Sequence, residues 1–348
     1  MNDPSWPPST VYVPAEKLRR WAAQQLEAHG LPPADAQLVA DSLVQTSLWG
    51  IDSHGIARLP HYLRRLEVGS IESTPVMQFR RSGPCTGQLD GGHGLGIVVA
   101  HRAMQEAIAM AKENGVGIVG CSYSSHCGAI GLYGRQAAQA GLIGIAFTHS
   151  DSFVAPHNGK FAFVGTNPIC ITAPAATGEP PCADMATSAI PINRVMNARR
   201  QGQTLPPGLA LDAEGNPTTD PAAVAALRPM GAHKGYALAF MIDLLCGPLN
   251  GMPFGPHIPA MYGDLTVRRN LGALMMAVDP ARFAGAATFA QAVADMAAEA
   301  RRQPAASADV EVLVPGDPEI HAERVREKEG IPIDPTLLKE LGLALSLP

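Results

Sequence analysis

Two histidines stand in polar segments alongside the groups that proton transfer requires. The run Asp52-Ser53-His54-Gly55 is followed by Arg58 and Tyr62. On a helix, residues four apart share a face, so His54, Arg58 and Tyr62 at that spacing would converge on one ligand. A guanidinium offers a bidentate fork to a carboxylate, and an imidazole exchanges a proton near neutral pH. The plainer alternative is a helix start, with Ser53 or Asp52 as cap and His54 and Arg58 solvated on the first turn.

The second histidine lies in Ser124-Ser125-His126-Cys127-Gly128, after an apolar run and before a helical one. Polar loops at strand ends are where α/β proteins place ligands, which makes His126 a second candidate proton carrier. Adjacent side chains point apart, so His126 with Cys127 is neither a nucleophilic pair nor a metal site, and no metal-ligand spacing occurs elsewhere. Gly165-Thr166-Asn167-Pro168 is a turn signal. Asp184-Met185-Ala186-Thr187-Ser188 offers a carboxylate and two hydroxyls among small residues. In Gly231-Ala232-His233-Lys234-Gly235, a lysine and free N–H groups at a helix start make an anion site.

The elements that must carry these groups follow from hydrophobic periodicity. Pro14–His29 reads as an amphipathic helix stopped by Gly30, and Pro33–Trp49 as a second. A third helical stretch runs from the His54 loop to about Val68. From Pro75 helix and strand alternate: helix 98–114, strand 116–120, helix 133–140, strand 142–148, and a strand at 169–173. Arg199–Met230 reads as a turn-rich excursion, Lys234–Gly247 as a helix apolar nearly all round and therefore buried, and Phe283–Arg302 as an Ala-rich surface helix. The class is α/β with a helical N-terminal part. Residues 1–74, completed by about 312–348, are expected to form the helical part, and 75–311 the α/β part that binds cofactor and substrate. Gly115-Val116-Gly117-Ile118-Val119-Gly120 matches G-x-G-x-x-G. It follows a helix and is itself the strand, the reverse of the order in which a Rossmann turn meets a pyrophosphate.

Composition bounds the rest. The chain has 348 residues, 46% hydrophobic and only 16% charged, which points to surface hidden between subunits. A net charge of -5 argues against nucleic acid or an anionic membrane as partner. The six cysteines show no paired spacing, no secretory signal is visible, and the longest apolar stretch contains Asp243, so a cytoplasmic protein with reduced thiols is expected.

Taken together, Gly50–Gly55, Ser125–Gly128, Gly165–Pro168, Asp184–Ser188, His233–Tyr236 and Pro315-Gly316-Asp317-Pro318-Glu319 resemble the malate/L-lactate dehydrogenase family of the second type over essentially the whole chain. Segments Gly215–Pro221, Met252–Gly255, Met261–Leu265 and Ser150-Asp151 are similar to its ureidoglycolate-oxidising branch. Ser-His-Cys-Gly departs from the Asn-His-Phe-Gly common in the family, so Cys127 is expected to alter the substrate pocket.

The resemblance implies a non-Rossmann nicotinamide-binding fold with a mixed, largely antiparallel sheet flanked by helices. It implies NAD or NADP as cofactor, a small 2-hydroxy acid as substrate, and a homodimer or dimer-based assembly; from the ligand spacing, no metal is expected. By the same resemblance, Ser150, Asp184, Met185, Ala186, Lys234, Pro315, Gly316, Asp317 and Glu319 are the cofactor positions, and Ser53, His54, Arg58 and Tyr62 the substrate side. His54 or His126 is the acid/base. Within the family the alternatives are malate, L-lactate or sulfolactate oxidation and cyclic imino acid reduction. Outside it stand a lyase or isomerase of hydroxy acids and a binder without turnover.

Overall fold

The computed structural model describes residues 10–340. Strand β1 (Val11–Val13) leads into helices α1 (Ala15–Ala28), α2 (Pro33–Leu48) and α3 (Leu59–Glu67). The alternating part follows: β2 (Gln78–Arg81), β3 (Thr86–Asp90), α4 (Gly96–Asn114), β4 (Val116–Ser124), α5 (Gly131–Gln139), β5 (Ile143–Thr148), β6 (Ile169–Thr172) and β7 (Cys182–Met185). Next come α6 (Ile192–Gln201), the short strands β8 (Ala210–Leu211), β9 (Pro217–Thr218) and β10 (Ala226–Leu227), and α7 (His233–Cys246). The chain continues through β11 (Leu271–Val278), α8 (Ala286–Arg301), α9 (Asp317–Glu329), β12 (Ile331–Ile333) and α10 (Pro335–Glu340).

Seven strands form the main sheet in the order β2-β3-β4-β11-β5-β6-β7. Only β3 and β4 pair in parallel, so the sheet is mixed and largely antiparallel, as expected. The reversed glycine motif has a packing explanation. Gly115, at φ 89°, closes α4 in the left-handed region. At Gly117 a Cβ would meet the Ala107 carbonyl oxygen at 2.0 Å, because α4 presses directly on β4. Ala103, Met104 and Ala107 of α4 share that core with Val119, Cys121, Met275 and Ala277 of the sheet.

The helical layer has its own core. Leu18, Leu26, Val39, Leu43 and Tyr62 pack there with Ile331, Ile333 and Leu338 from the far end of the chain, and β1 pairs antiparallel with β12.

The structure corrects several expectations. The central strand β11 went unseen because Leu-Gly-Ala-Leu-Met-Met-Ala-Val has one β-branched residue and suits a helix equally well. Asp184 and Met185 belong to edge strand β7, which the sequence reading did not place, and Pro315–Glu319 leads into helix α9. The excursion at 199–230 contains the end of α6 and a three-stranded sheet, β10-β8-β9. Helix α7 is buried on one side only, through Ala239, Ile242 and Cys246, while Phe240, Met241 and Leu244 are 44%, 50% and 40% exposed. An all-round apolar helix needs two partners, and a single chain supplies one. No helix among the described residues is long and apolar enough to cross a membrane.

Candidate active site

The His54 segment is not the continuous helix its spacing allows. Two short 3-10 turns, Asp52–His54 and Ile56–Arg58, precede α3. The loop is tied down at both ends of its charge pattern. Arg326 of α9 grips the Asp52 carboxylate through both terminal nitrogens, and the Ile56 N–H donates to the Ser47 hydroxyl at 2.9 Å. This anchoring turns His54 toward the loop that follows β4.

There the two imidazoles meet. The His54 and His126 rings lie 5.5 Å apart between centroids and nearly parallel, at 27°. The Ser53 hydroxyl is 2.8 Å from His54 Nδ1. His126 Nδ1 faces the Tyr62 hydroxyl at 2.6 Å and the Gly128 N–H at 3.3 Å. Both histidines are half-buried, and Tyr62 is fully buried in the helical core. Tyr62, expected beside a ligand, instead stands behind His126. Cys127 likewise packs into the sheet core, with its carbonyl accepting from the Tyr133 hydroxyl, rather than facing the cleft.

Arg58 binds the Ser53 carbonyl through Nε, the Tyr262 hydroxyl through Nη1, and Asn193 Oδ1 through Nη2 at 3.3 Å. Tyr262 and Asn193 were not anticipated as site residues, nor was the frame that holds Tyr262 in place. In that frame the buried Arg65 reaches the carbonyls of Met261, Val267 and Leu265 at 2.9, 3.1 and 3.3 Å. Asp151 accepts from Arg269 and, at 3.1 Å, from the Met261 N–H. The local sequence gives no sign that Arg65 is buried, because it reads like its neighbour Arg64.

The charges that bear on the two imidazoles are cationic. Burial, reinforced by Arg58, lowers the His54 imidazole to about 4. Burial, then His54 and Arg58, holds His126 well below its ordinary value, and burial raises the Tyr62 phenol. Near pH 7 both imidazoles are therefore neutral beside a permanently charged guanidinium, a setting for a small anion.

The expected cofactor positions gather along one connected stretch. Asp184 Oδ2 accepts from the Gly131 N–H at 2.7 Å, at the start of α5 and five residues after His126. Burial, with Glu319 contributing, raises the Asp184 carboxyl to about 6. Glu319 Oε2 is buried with no hydrogen-bond partner among the described residues. The Cys182 N–H donates to the Pro315 carbonyl at 2.9 Å, which joins the Pro315–Glu319 turn to β7, and Gly316 adopts φ 100°. Asp317, by contrast, is committed to Arg301 at 2.7 and 2.9 Å and to the Val314 N–H. Met185 is exposed and Ala186 half-buried. The Met230 N–H donates to the Thr187 carbonyl at 2.9 Å, which brings the turn before α7 next to this strand. In that turn Gly231 and Ala232 have φ of 54° and 57°, and Lys234 is exposed in the first turn of the helix. The Ser150 hydroxyl donates to the Asp151 carbonyl at 3.1 Å and accepts from Thr166 N at 3.3 Å.

Comparison with known proteins gives one consistent result. Residues 13–342 match the malate/L-lactate dehydrogenase family. A malate/(S)-sulfolactate dehydrogenase from Methanothermus fervidus is 37% identical over 95% of this chain and 96% of its own. The ureidoglycolate dehydrogenase (NAD(+)) of Escherichia coli is 37% identical over 92% of each chain. Among solved structures, sulfolactate dehydrogenase from Methanocaldococcus jannaschii superposes with a TM-score of 0.90 at 33% identity, covering 95% of both chains.

Proposed function

The chain belongs to the malate/L-lactate dehydrogenase family, and from that premise we propose that it is an NAD(P)-dependent dehydrogenase of a small 2-hydroxy acid, with ureidoglycolate or a close analogue as substrate. The observation that carries this reading is the Arg58 guanidinium beside two stacked, neutral imidazoles. Arg58 takes the substrate carboxylate and fixes the carbinol carbon, which supplies orientation. His54 accepts the hydroxyl proton at Nε2, with its Nδ1 held by Ser53. That hydroxyl can donate or accept, so it accommodates both protonation states of the ring. Bound nicotinamide supplies the hydride acceptor.

The residues present fit the dinucleotide. The unpartnered Glu319 oxygen lacks the O–H donor that a ribose diol provides, and the Asp184 carboxyl near it takes the Gly131 N–H on one of its two oxygens. Lys234 and the uncapped N–H groups of α7 suit a pyrophosphate. We further read residues 10–74 with 312–340 as one structural unit and 75–311 as the other; 1–9 and 341–348 of the expected helical part lie outside the described residues. Six free cysteines suit a reducing, cytoplasmic setting.

The test is nicotinamide absorbance with NAD+ or NADP+ and a panel of ureidoglycolate, malate, lactate and sulfolactate, with a cyclic imino acid for the reverse reaction. Reduced cofactor is expected with ureidoglycolate. Turnover with another acid alone would reassign the substrate, and no dinucleotide binding would sink the dehydrogenase reading.

The exposed face of α7 is proposed as the homodimer surface. Phe240→Glu, with Met241 and Leu244 beside it, is expected to convert a dimer of about 73 kDa into monomers of 36.5 kDa by light scattering. An unchanged mass would move the interface elsewhere.

A further inference from the structure

We propose that Tyr62 is a positioning residue that, together with the Gly128 amide, holds His126 as a neutral hydrogen-bond donor to substrate rather than as the base. The groups around one nitrogen carry this. A backbone N–H can only donate, and that of Gly128 is directed at His126 Nδ1 at 3.3 Å. Nδ1 therefore presents its lone pair. The Tyr62 oxygen lies 2.6 Å from the same atom, so Tyr62 is also a donor there. A neutral imidazole with Nδ1 unprotonated carries its proton on Nε2. Moving that proton to Nδ1 would leave the Gly128 N–H without the one acceptor it has among the described residues.

Besides packing in the helical core, Tyr62 turns its hydroxyl to this one nitrogen. It is fully buried, and burial disfavours loss of its proton, so it remains a donor. Gly128 sits at φ 70°, a backbone conformation that glycine adopts without strain and that aims its amide back at the ring. Ser53 treats His54 differently, because its hydroxyl can reverse. The two stacked rings are thus divided in labour: His54 can gain and lose a proton, while His126 offers a fixed Nε2–H. This role rests on the dehydrogenase reading, since the Nε2–H would hold the substrate oxygen as it changes between hydroxyl and oxo. The tautomer does not rest on that reading.

Two measurements test the proposal on the full-length protein. Two-bond 1H–15N correlation spectra with 15N-histidine, assigned by loss of the signal in His126→Gln, report the tautomer directly. Nε2–H is expected in the native protein at pH 7, with Nδ1–H growing in Tyr62→Phe. A native Nδ1–H or doubly protonated ring would overturn the proposal, as would a folded Tyr62→Phe with an unaltered spectrum. Steady-state kinetics supply the second arm, because the glutamine amide keeps a donor but cannot act as a base. His126→Gln should lose about 10-fold in kcat and His126→Ala on the order of 10²–10³-fold. Tyr62→Phe should lose roughly 10-fold or more in kcat with KM nearly unchanged. Equal losses in the two His126 variants would make His126 the base. If the protein binds no dinucleotide, the dehydrogenase reading falls, while the spectra still decide the tautomer.

Discussion

Replacing His54 with alanine is expected to lower kcat by ~10²–10⁴-fold in both reaction directions while leaving dinucleotide binding intact. The ring meets the geometric requirement through Ser53 on Nδ1 and a half-buried position facing the cleft beside Arg58. Its pH behaviour provides a second readout. A base must be neutral to take the proton, and burial with Arg58 has lowered His54 to about 4 in the free enzyme. At saturating nicotinamide, where protonation of Asp184 near 6 does not limit cofactor occupancy, kcat/KM for the acid should therefore stay flat from pH 8 to about pH 5 and fall only near 4, instead of falling through the usual histidine range. A substrate carboxylate seated on Arg58 offsets the guanidinium charge, so in the complex the His54 value rises. The acid limb of kcat should accordingly lie at higher pH than that of kcat/KM. Wild-type kcat in His54→Ala, or coincident limbs, would place the proton elsewhere.

What was legible in the sequence was legible because it is local. Ser53, His54 and Arg58 lie within six residues, and a polar loop closing an apolar run is enough to mark His126. The partners that give those residues their roles are distant: Tyr262 lies 204 positions from Arg58 and Asn193 lies 135 away. No periodicity connects them. Tyr62 shows the converse. Its spacing from Arg58 suits a shared ligand, but the 3-10 turns before α3 rotate that register, and the ring enters the helical core with only its hydroxyl reaching His126. Strand β11 was hidden because its Ala, Leu and Met residues favour a helix locally and are strand residues only by virtue of β4 and β5 on either side. Helix α7 could be read as apolar, but one chain cannot reveal what covers its second face.

Arg58→Lys is expected to raise KM for the hydroxy acid about 10–100-fold with a much smaller change in kcat, measured at saturating nicotinamide. A guanidinium has five N–H donors, and the protein uses three of the groups bearing them once each, on the Ser53 carbonyl, the Tyr262 hydroxyl and Asn193 Oδ1. Two N–H groups remain for a carboxylate in the plane those contacts fix. An ammonium has three donors on a flexible stem and cannot hold these anchors and a fork together. Losing one charge-assisted hydrogen bond costs about 1.5–3 kcal/mol, which is the stated range in binding. The substitution also separates charge from geometry. Lysine keeps the positive charge near His54, so the flat pH profile should persist in Arg58→Lys. In Arg58→Ala the charge that helps hold His54 down is gone, and the acid limb of kcat/KM should move to higher pH while KM rises further. An Arg58→Lys enzyme with native KM would remove the fork from substrate binding. A shifted profile in that variant would show instead that the guanidinium orders the His54 loop through the Ser53 carbonyl, a structural role distinct from holding the acid.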